Sequence, residues 1–215
     1  MPFTVEQFLA AFARYNEAIW PLQVVATGAG IALLVLALRR GGASHRAVLP
    51  VLAAMWLVNG VGYHGLYFAR INPLAIAFAA VFVVQAVLLA GAAVRGPGLR
   101  FCARRGRVAL AGLVLAVFAL ALYPLLGVMA GQRWPAVPAF GVAPCPTTIY
   151  TIGLLLMAPW QRVKWLMVVP GLWAGIGGTA AILLRVPQDV ALLASLGVLI
   201  AVAAGAGRAG RRRAS

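Results

Sequence analysis

Apolar residues form seven long runs along the chain, separated by short segments that are rich in arginine, proline and glycine. Read as helices, the runs predict membrane spans near 18–38, 47–69, 73–94, 108–130, 146–160, 165–184 and 190–207. A helix needs about 20 apolar residues to cross a bilayer core, and all but the short fifth run are close to that length. The pattern therefore predicts an all-α, polytopic transmembrane helical bundle of about seven spans.

The first 17 residues have a different pattern. In FTVEQFLAAFARYNE, aromatic and aliphatic residues recur at helical spacing with charged residues between them. This pattern predicts an amphipathic helix over 1–17 that lies at the outer membrane interface. The segment has no basic n-region of a cleaved secretory signal, so we expect the first span to be retained. We predict one membrane domain over 1–215, with the bundle over 18–207 and a basic cytoplasmic tail over 208–215.

Composition and charge agree with a membrane protein and suggest its orientation. Hydrophobic residues make up 64% of the chain and charged residues 10%, which excludes an ordinary soluble domain. The net charge of +15 would indicate nucleic-acid binding in a soluble protein, but here the basic residues follow the loops. Alternate connections hold 14 of the 18 Lys and Arg residues, namely Arg39, Arg40, Arg46, Arg95, Arg100, Arg104, Arg105, Arg107, Arg162, Lys164, Arg208, Arg211, Arg212 and Arg213.

The opposite connections hold only Arg14, Arg70, Arg133 and Arg185. Basic loop residues stay on the cytoplasmic side, so the asymmetry predicts an inner-membrane protein with its N-terminus outside and its C-terminus inside. The predicted partners are the lipid bilayer and anionic lipid headgroups at the inner basic loops, with no nucleic acid.

Sequence motifs exclude the common catalytic classes. The chain has no CxxC, HExxH, GxxxxGK[ST] or GxSxG pattern. The two cysteines, Cys102 and Cys145, are predicted on opposite sides of the membrane, which excludes a disulfide between them. We therefore do not expect an enzyme, and the sequence identifies no cofactor.

Polar residues within the apolar runs gather at the predicted outer ends. Such residues are costly in a membrane and often mark a site. The candidate binding residues are Glu17, Asn59, Tyr63, His64, Asn72, Cys145, Thr147 and Thr148.

Two of these candidates allow more than one interpretation. His64 is either a neutral imidazole hydrogen-bonded to a carbonyl or tyrosine, or a proton carrier or metal ligand near Glu17. In CPTT, a helix that begins just after Pro146 explains the prolines on either side of Cys145, with Thr147 or Thr148 capping its first turn. The alternatives are a thiophilic metal ion bound by Cys145 and His64, and an anion or small solute at the helix N-terminus.

Two further segments suggest close packing. The loop GQRWPAVPAFGVAPCP is apolar and contains four prolines, so it either dips into the mouth of the bundle or forms a surface loop. Gly171, Gly175 and Thr179 are spaced four residues apart in the sixth run. This face predicts close helix packing, within the monomer or in a homodimer.

The segments RYNEAIWPLQ, NGVGYHGLYFARINP and FGVAPCPTT together resemble a family of small bacterial multi-pass membrane proteins of unknown function. The resemblance spans most of the chain. Some members carry the label of transporter permease, but the resemblance implies no particular catalytic or binding residue.

Three functions remain open from the sequence. The first is a transporter or channel for a small solute or ion with a polar outer vestibule. The second is a membrane sensor or scaffold that binds an extracytoplasmic ligand. The third is a membrane enzyme that uses Cys145 or His64.

Overall fold

The protein is mainly helical in a computed structural model that describes residues 2–96, 98–184 and 186–212, with side chains described as far as residue 208. Arg185 and Arg213 lie outside the described residues, as do the side chains of Arg211 and Arg212. The α-helices are α1 (Val5–Ala18), α2 (Trp20–Leu38), α3 (His45–Leu57), α4 (Ala75–Arg95), α5 (Arg107–Val117), α6 (Tyr123–Met129), α7 (Pro144–Leu156), α8 (Trp160–Val163), α9 (Val168–Leu184) and α10 (Ala191–Arg212).

Several helices continue into tighter or wider turns without leaving the helical path. The wider π-helical turns occupy Val58–Tyr67, after α3, and Phe118–Leu122, between α5 and α6. The tighter 3-10 turns occupy Phe68–Arg70, Lys164–Met167 and Pro187–Val190.

Among the described residues, six of these continuous helical segments, here called rods, are long and apolar enough to cross a membrane. They are Trp20–Leu38, His45–Arg70, Ala75–Arg95, Arg107–Met129, Trp160–Leu184 and Pro187–Arg208. The expected all-α architecture is confirmed, and the chain is a multi-pass helical bundle. The predicted fifth span is a shorter helix, α7, which has 13 residues and ends before Pro159.

The bundle has two ends that differ in structure. At one end, β1 (Ala43–Ser44) pairs with β2 (Arg100–Phe101) in a short antiparallel ribbon. The next residues continue the contacts, since the Cys102 amide donates to the Met157 carbonyl. We call this the ribbon end, and the opposite end, which carries α1, the α1 end.

Helix α7 is the centre of the bundle. Twelve of its 13 residues are buried, because neighbouring helices cover it on all sides. The Tyr150 hydroxyl donates to the Gly30 carbonyl of α2 at 2.7 Å, and the Trp56 indole of α3 donates to Thr151 at 2.9 Å. By contrast, the six long rods have many exposed Val, Leu and Ile side chains, as expected for helices in contact with lipid.

Helix α1 is fixed at both its start and its inner face. Thr4 and Gln7 form a capping box, with the Gln7 amide donating to the Thr4 hydroxyl at 3.2 Å. The same hydroxyl holds the pKa of exposed Glu6 below its usual range. Phe12 and Tyr15 are buried against the π-helical turn, where the Phe12 and Tyr63 rings lie 4.7 Å apart. The helix predicted over 1–17 is therefore present as Val5–Ala18, while its position at a membrane interface stays a prediction.

The 130–143 segment folds into the α1 end, as the first of the two interpretations proposed. Phe140 and Val142 are almost fully buried. Three buried amide side chains hold its backbone by donating to carbonyl groups: Asn16 to Ala136 at 2.8 Å, Gln23 to Pro135 at 2.9 Å, and Asn59 to Gly141 at 3.0 Å. These bonds satisfy non-helical backbone that water would otherwise have to solvate.

The start of α7 corrects the expected helix boundary. The helix begins at Pro144 and not just after Pro146, so both prolines lie in its first turn. Proline is tolerated there because the first amides of a helix have no intrahelical acceptor. The expected capping by threonine is wrong as well. Thr147 accepts from the Gly141 amide at 2.9 Å, and Thr148 donates back to the Pro144 carbonyl.

The stripe of small residues on α9 packs against α10 of the same chain. A Cβ added at Gly171 would lie 3.0 Å from a Leu199 methyl carbon, and one at Gly175 would lie 3.7 Å from Leu196. Thr179 is exposed and donates to the Gly175 carbonyl. Packing within the monomer therefore accounts for the glycines, and a homodimer through this face stays a prediction.

Candidate functional site

A cavity of about 360 Å³ lies at the α1 end of the bundle. Its walls come from α1, the π-helical turn Val58–Tyr67, the start of α4, the 130–143 segment, α9 and the turn before α10. The π-helical turn shifts the Tyr63 and His64 side chains relative to a regular helix, and such turns are frequent at functional sites. The lining is mostly apolar, and its aromatic members are Phe3, Phe8, Phe12, Tyr63, His64, Phe68, Phe78, Tyr123 and Trp173.

A carboxylate and a thiol lie together in this cavity. The Tyr123 hydroxyl donates to the Asp189 carboxylate, which is 7% exposed. The half-buried Cys145 thiol lies beside the same carboxylate and Tyr123. It is also close to the Trp173 indole N–H, which nevertheless makes no hydrogen bond with any acceptor among the described residues. Four elements of the chain thus bring polar atoms to one place.

His64 lies fully buried among aromatic rings in the wall of this cavity. Its imidazole centroid is 4.7 Å from the Phe82 ring, 4.9 Å from the Trp173 ring and 5.0 Å from the Tyr63 ring. Neither ring nitrogen has a hydrogen-bond partner within the described part of the chain. The expected bond from His64 to a carbonyl or tyrosine is therefore wrong.

Two neighbours of His64 share this lack of partners. The Tyr63 hydroxyl and the Trp173 indole N–H are buried and unpaired with protein atoms of the described residues. Leaving such a group unsatisfied costs about 1–3 kcal/mol. A molecule that supplies hydrogen bonds in the cavity would recover that cost, so the arrangement favours an occupant with polar atoms.

The structure separates the eight candidate residues into three groups. Tyr63, His64, Asn72 and Cys145 line the cavity. Glu17 is exposed on α1 and does not line it, so the suggested pairing with His64 is absent.

The remaining three candidates are structural. Asn59, Thr147 and Thr148 are buried beside the cavity in hydrogen bonds to backbone. Asn59 donates to the Met55 carbonyl at 2.7 Å as well as to Gly141. Their polar side chains therefore stabilise the contact between the 130–143 segment and α7.

Sequence reasoning missed three cavity residues, Tyr123, Trp173 and Asp189. The signal that was present is the rarity of acidic residues, since the whole chain has three. Asp189 stands directly before an apolar run, where a carboxylate is costly and often marks a site. Tyr123 and Trp173 had no such signal, because aromatic residues are common in membrane helices.

Metal binding has little support from the donor groups. No set of three or more His, Cys, Asp and Glu side chains that could hold a metal ion occurs among the described residues. The weak metal candidates His64 and Cys145 therefore lack a third such ligand there. Cys102 and Cys145 are both free thiols.

The fold and the cavity define the class: a multi-pass helical membrane protein with a mostly apolar, largely aromatic cavity that a few polar side chains line. The chain belongs to the family of unknown function DUF6064, whose pattern matches residues 5–211. The resemblance to an uncharacterised family is thus confirmed. No curated protein and no solved structure matches the chain significantly.

Proposed function

We propose that this protein binds a small, largely apolar molecule with a polar group in the cavity at the α1 end. The observation that carries the proposal is the convergence of unpaired Tyr63, His64 and Trp173 side chains beside the Asp189 carboxylate. A volume of about 360 Å³ is at the lower end of the range for small-molecule sites.

We infer that the cavity faces the outside of the cell membrane. The basic loop residues support this orientation, because loops at the ribbon end hold most of the arginines, as cytoplasmic loops do. A seventh crossing is supported by α7 together with the 130–143 segment. Thirteen helical residues span about 20 Å, and the buried segment before them would complete the path.

The half of the bundle nearer the ribbon end, here called the ribbon half, has packing that favours a sensor over a conducting channel. The other half, nearer α1, is called the α1 half. In the ribbon half α5 and α7 are in backbone contact at Gly112 and Gly153, and the Gln85 amide is bonded to the Leu166 carbonyl. A ligand bound at the α1 end would therefore act by moving helices, as a sensor or receptor does.

Transport is the second candidate, and one observation favours it. Residues Val58–Tyr67 form a π-helical turn of 10 residues beside the cavity. Such a turn can convert to α-helix with a one-residue shift in register, which would move the cavity wall.

Orientation is tested by labelling intact cells with a membrane-impermeant thiol reagent. Cys145 is expected to react in a C102S background. The matched inner reporter is R104C in a C102S/C145S background, because Arg104 is exposed at the ribbon end. It should react only after the membrane is permeabilised. Labelling of R104C in intact cells without labelling of Cys145 would contradict the proposed orientation.

Binding is tested by filling the cavity. Ala180 lines it, whereas Ala77 is exposed on α4 away from it. Small aromatic amines, alcohols and acids are screened for thermal stabilisation of the purified protein. Compounds that stabilise the wild type and A77W should not stabilise A180W. Equal stabilisation of A180W would place binding elsewhere, and flux of the compound in proteoliposomes would favour transport over sensing.

A further inference from the structure

We propose that the ligand of this cavity is an organic cation, a protonated amine or a quaternary ammonium group joined to an apolar body. The inference rests on the proposed binding function and names its ligand class. It comes from one juxtaposition: a single buried carboxylate in a cavity with aromatic walls and no basic side chain among its described lining residues.

The carboxylate is the first part of the argument. Of the three acidic residues in the chain, Glu6 and Glu17 are exposed on α1, and Asp189 is buried in the cavity. Tyr123, which donates to this carboxylate, and Cys145, which lies beside it, are both uncharged. A buried carboxylate is costly unless a positive charge compensates it. None of the Lys and Arg residues that the structure describes is among the lining residues, so a cationic ligand would supply that charge.

The aromatic walls are the second part. Cations bind favourably over the faces of Trp, Tyr and Phe rings, and several such rings together form the known recognition mode for ammonium groups. Here Trp173 and Phe78 lie 5.3 Å apart and nearly perpendicular, and Tyr63 stacks on Phe68 at 5.5 Å. The rings come from the π-helical turn, the 3-10 turn Phe68–Arg70, α4 and α9, so several elements contribute to the aromatic lining. An apolar ligand alone would not need the carboxylate, and an anion would be repelled by it.

The unpaired polar atoms are the third part. A neutral imidazole has one acceptor nitrogen, and a tyrosine hydroxyl also accepts. His64 and Tyr63 are therefore able to accept hydrogen bonds from a ligand N–H group, which no described protein donor now provides. The cavity thus offers hydrogen-bond acceptors, the Asp189 carboxylate and aromatic rings. This set suits a ligand with an ammonium group better than a ligand with an anionic carboxylate or phosphate group.

The test uses the full-length protein in nanodiscs and two probes of the same shape, phenyltrimethylammonium and neutral tert-butylbenzene. The readout is the rate of Cys145 alkylation at increasing probe concentration, compared within each variant. The cation should protect Cys145 at a concentration at least about tenfold lower than the neutral probe. This comparison needs no substitution, so it stands even where a variant fails to fold.

Variants then locate the charge. D189N should weaken protection by the cation about tenfold or more and leave the neutral probe unchanged. E17Q removes an exposed carboxylate outside the cavity and should have no effect. Arg185 lies outside the described residues, and R185Q is included because loss of a positive charge from the protein should not weaken binding of a cation. A weaker cation effect in R185Q, or an unchanged one in D189N, would overturn the inference.

The result also distinguishes the two proposals. If both probes protect equally in the wild type, the cavity binds molecules but does not select cations, so this inference fails and the proposed function stands. If neither probe protects, and no screened compound stabilises the protein, the proposed binding function fails too.

Discussion

The two halves of the bundle differ in how closely their helices pack and in how many buried polar groups surround open space. In the ribbon half, α5 and α7 touch through glycines, and the buried Gln85 amide nitrogen donates to the Leu166 carbonyl, although its amide oxygen has no partner among the described residues. In the α1 half, His64, Tyr63 and Trp173 have polar atoms without partners among the described residues, around a cavity of about 360 Å³. The first arrangement favours one fixed packing, while the second keeps hydrogen-bonding capacity for another molecule.

The difference teaches how one helical bundle can be both stable and able to bind. Close packing in one half provides stability. The other half contains the irregular elements, namely a π-helical turn and a non-helical segment, and these elements place side chains where regular helices would not. Functional sites commonly break local rules in this way, at a cost that the rest of the fold offsets.

The largest loss of stability is expected where the helices of the ribbon half pack most closely. A Cβ added at Gly153 would lie 2.6 Å from the Gly112 carbonyl oxygen and 2.9 Å from the Ala116 amide nitrogen. G153V should therefore force α5 and α7 apart and lower the free energy of unfolding by about 3 kcal/mol or more. Thermal unfolding in detergent measures this. The matched control is G91A on α4, where a Cβ meets nothing within 4 Å, and it should unfold like the wild type. A stable G153V would show that the two helices can separate.

The second largest loss of stability is expected where Asn59 holds the 130–143 segment. N59L removes the amide that donates to the Gly141 and Met55 carbonyls. The buried carbonyls lose a donor, so we expect a loss of about 1–3 kcal/mol and faster hydrogen exchange in the 130–143 segment. Hydrogen-exchange mass spectrometry measures the local change. Unchanged exchange would mean that Asn16 and Gln23 hold the segment without Asn59.

A pair of tyrosines tests the comparison directly. Tyr150 donates to Gly30, whereas the Tyr63 hydroxyl has no partner in the described part of the chain. Y150F should lower the free energy of unfolding by about 1 kcal/mol, and Y63F should leave it unchanged or raise it slightly. Reversible unfolding in mixed detergent micelles compares the two. Equal destabilisation would remove the distinction between the halves.

The smallest effect is expected at the edge of the cavity. T4A removes the N-cap of α1 and should destabilise the first turn of this helix by about 0.5–1 kcal/mol, so that the turn frays. Because Phe3 and Phe8 line the cavity, Cys145 should then be alkylated about two- to fivefold faster. S44A is the control, since Ser44 precedes α3 without a capping bond from its side chain. An unchanged rate in T4A would indicate that α1 does not limit access to Cys145.

The sequence by itself determined the class of the protein and the end at which polar residues gather. Long apolar runs fix the helices, because a bilayer requires every backbone group to be bonded within the segment. The same pattern located Tyr63, His64 and Cys145, three residues that line the cavity. It also allowed for a 130–143 segment inside the bundle, although the surface-loop alternative remained open.

Only the tertiary structure decided which polar residues work together. Tyr123 and Asp189 are 66 positions apart, and their contact depends on how α6 and the turn before α10 are rotated and spaced. Helices that are apolar on all sides show no preferred face in the sequence, so periodicity does not predict these rotations. The same limit applies to Asn59 and Thr147, whose polar side chains satisfy backbone atoms that the sequence could not show to be nearby.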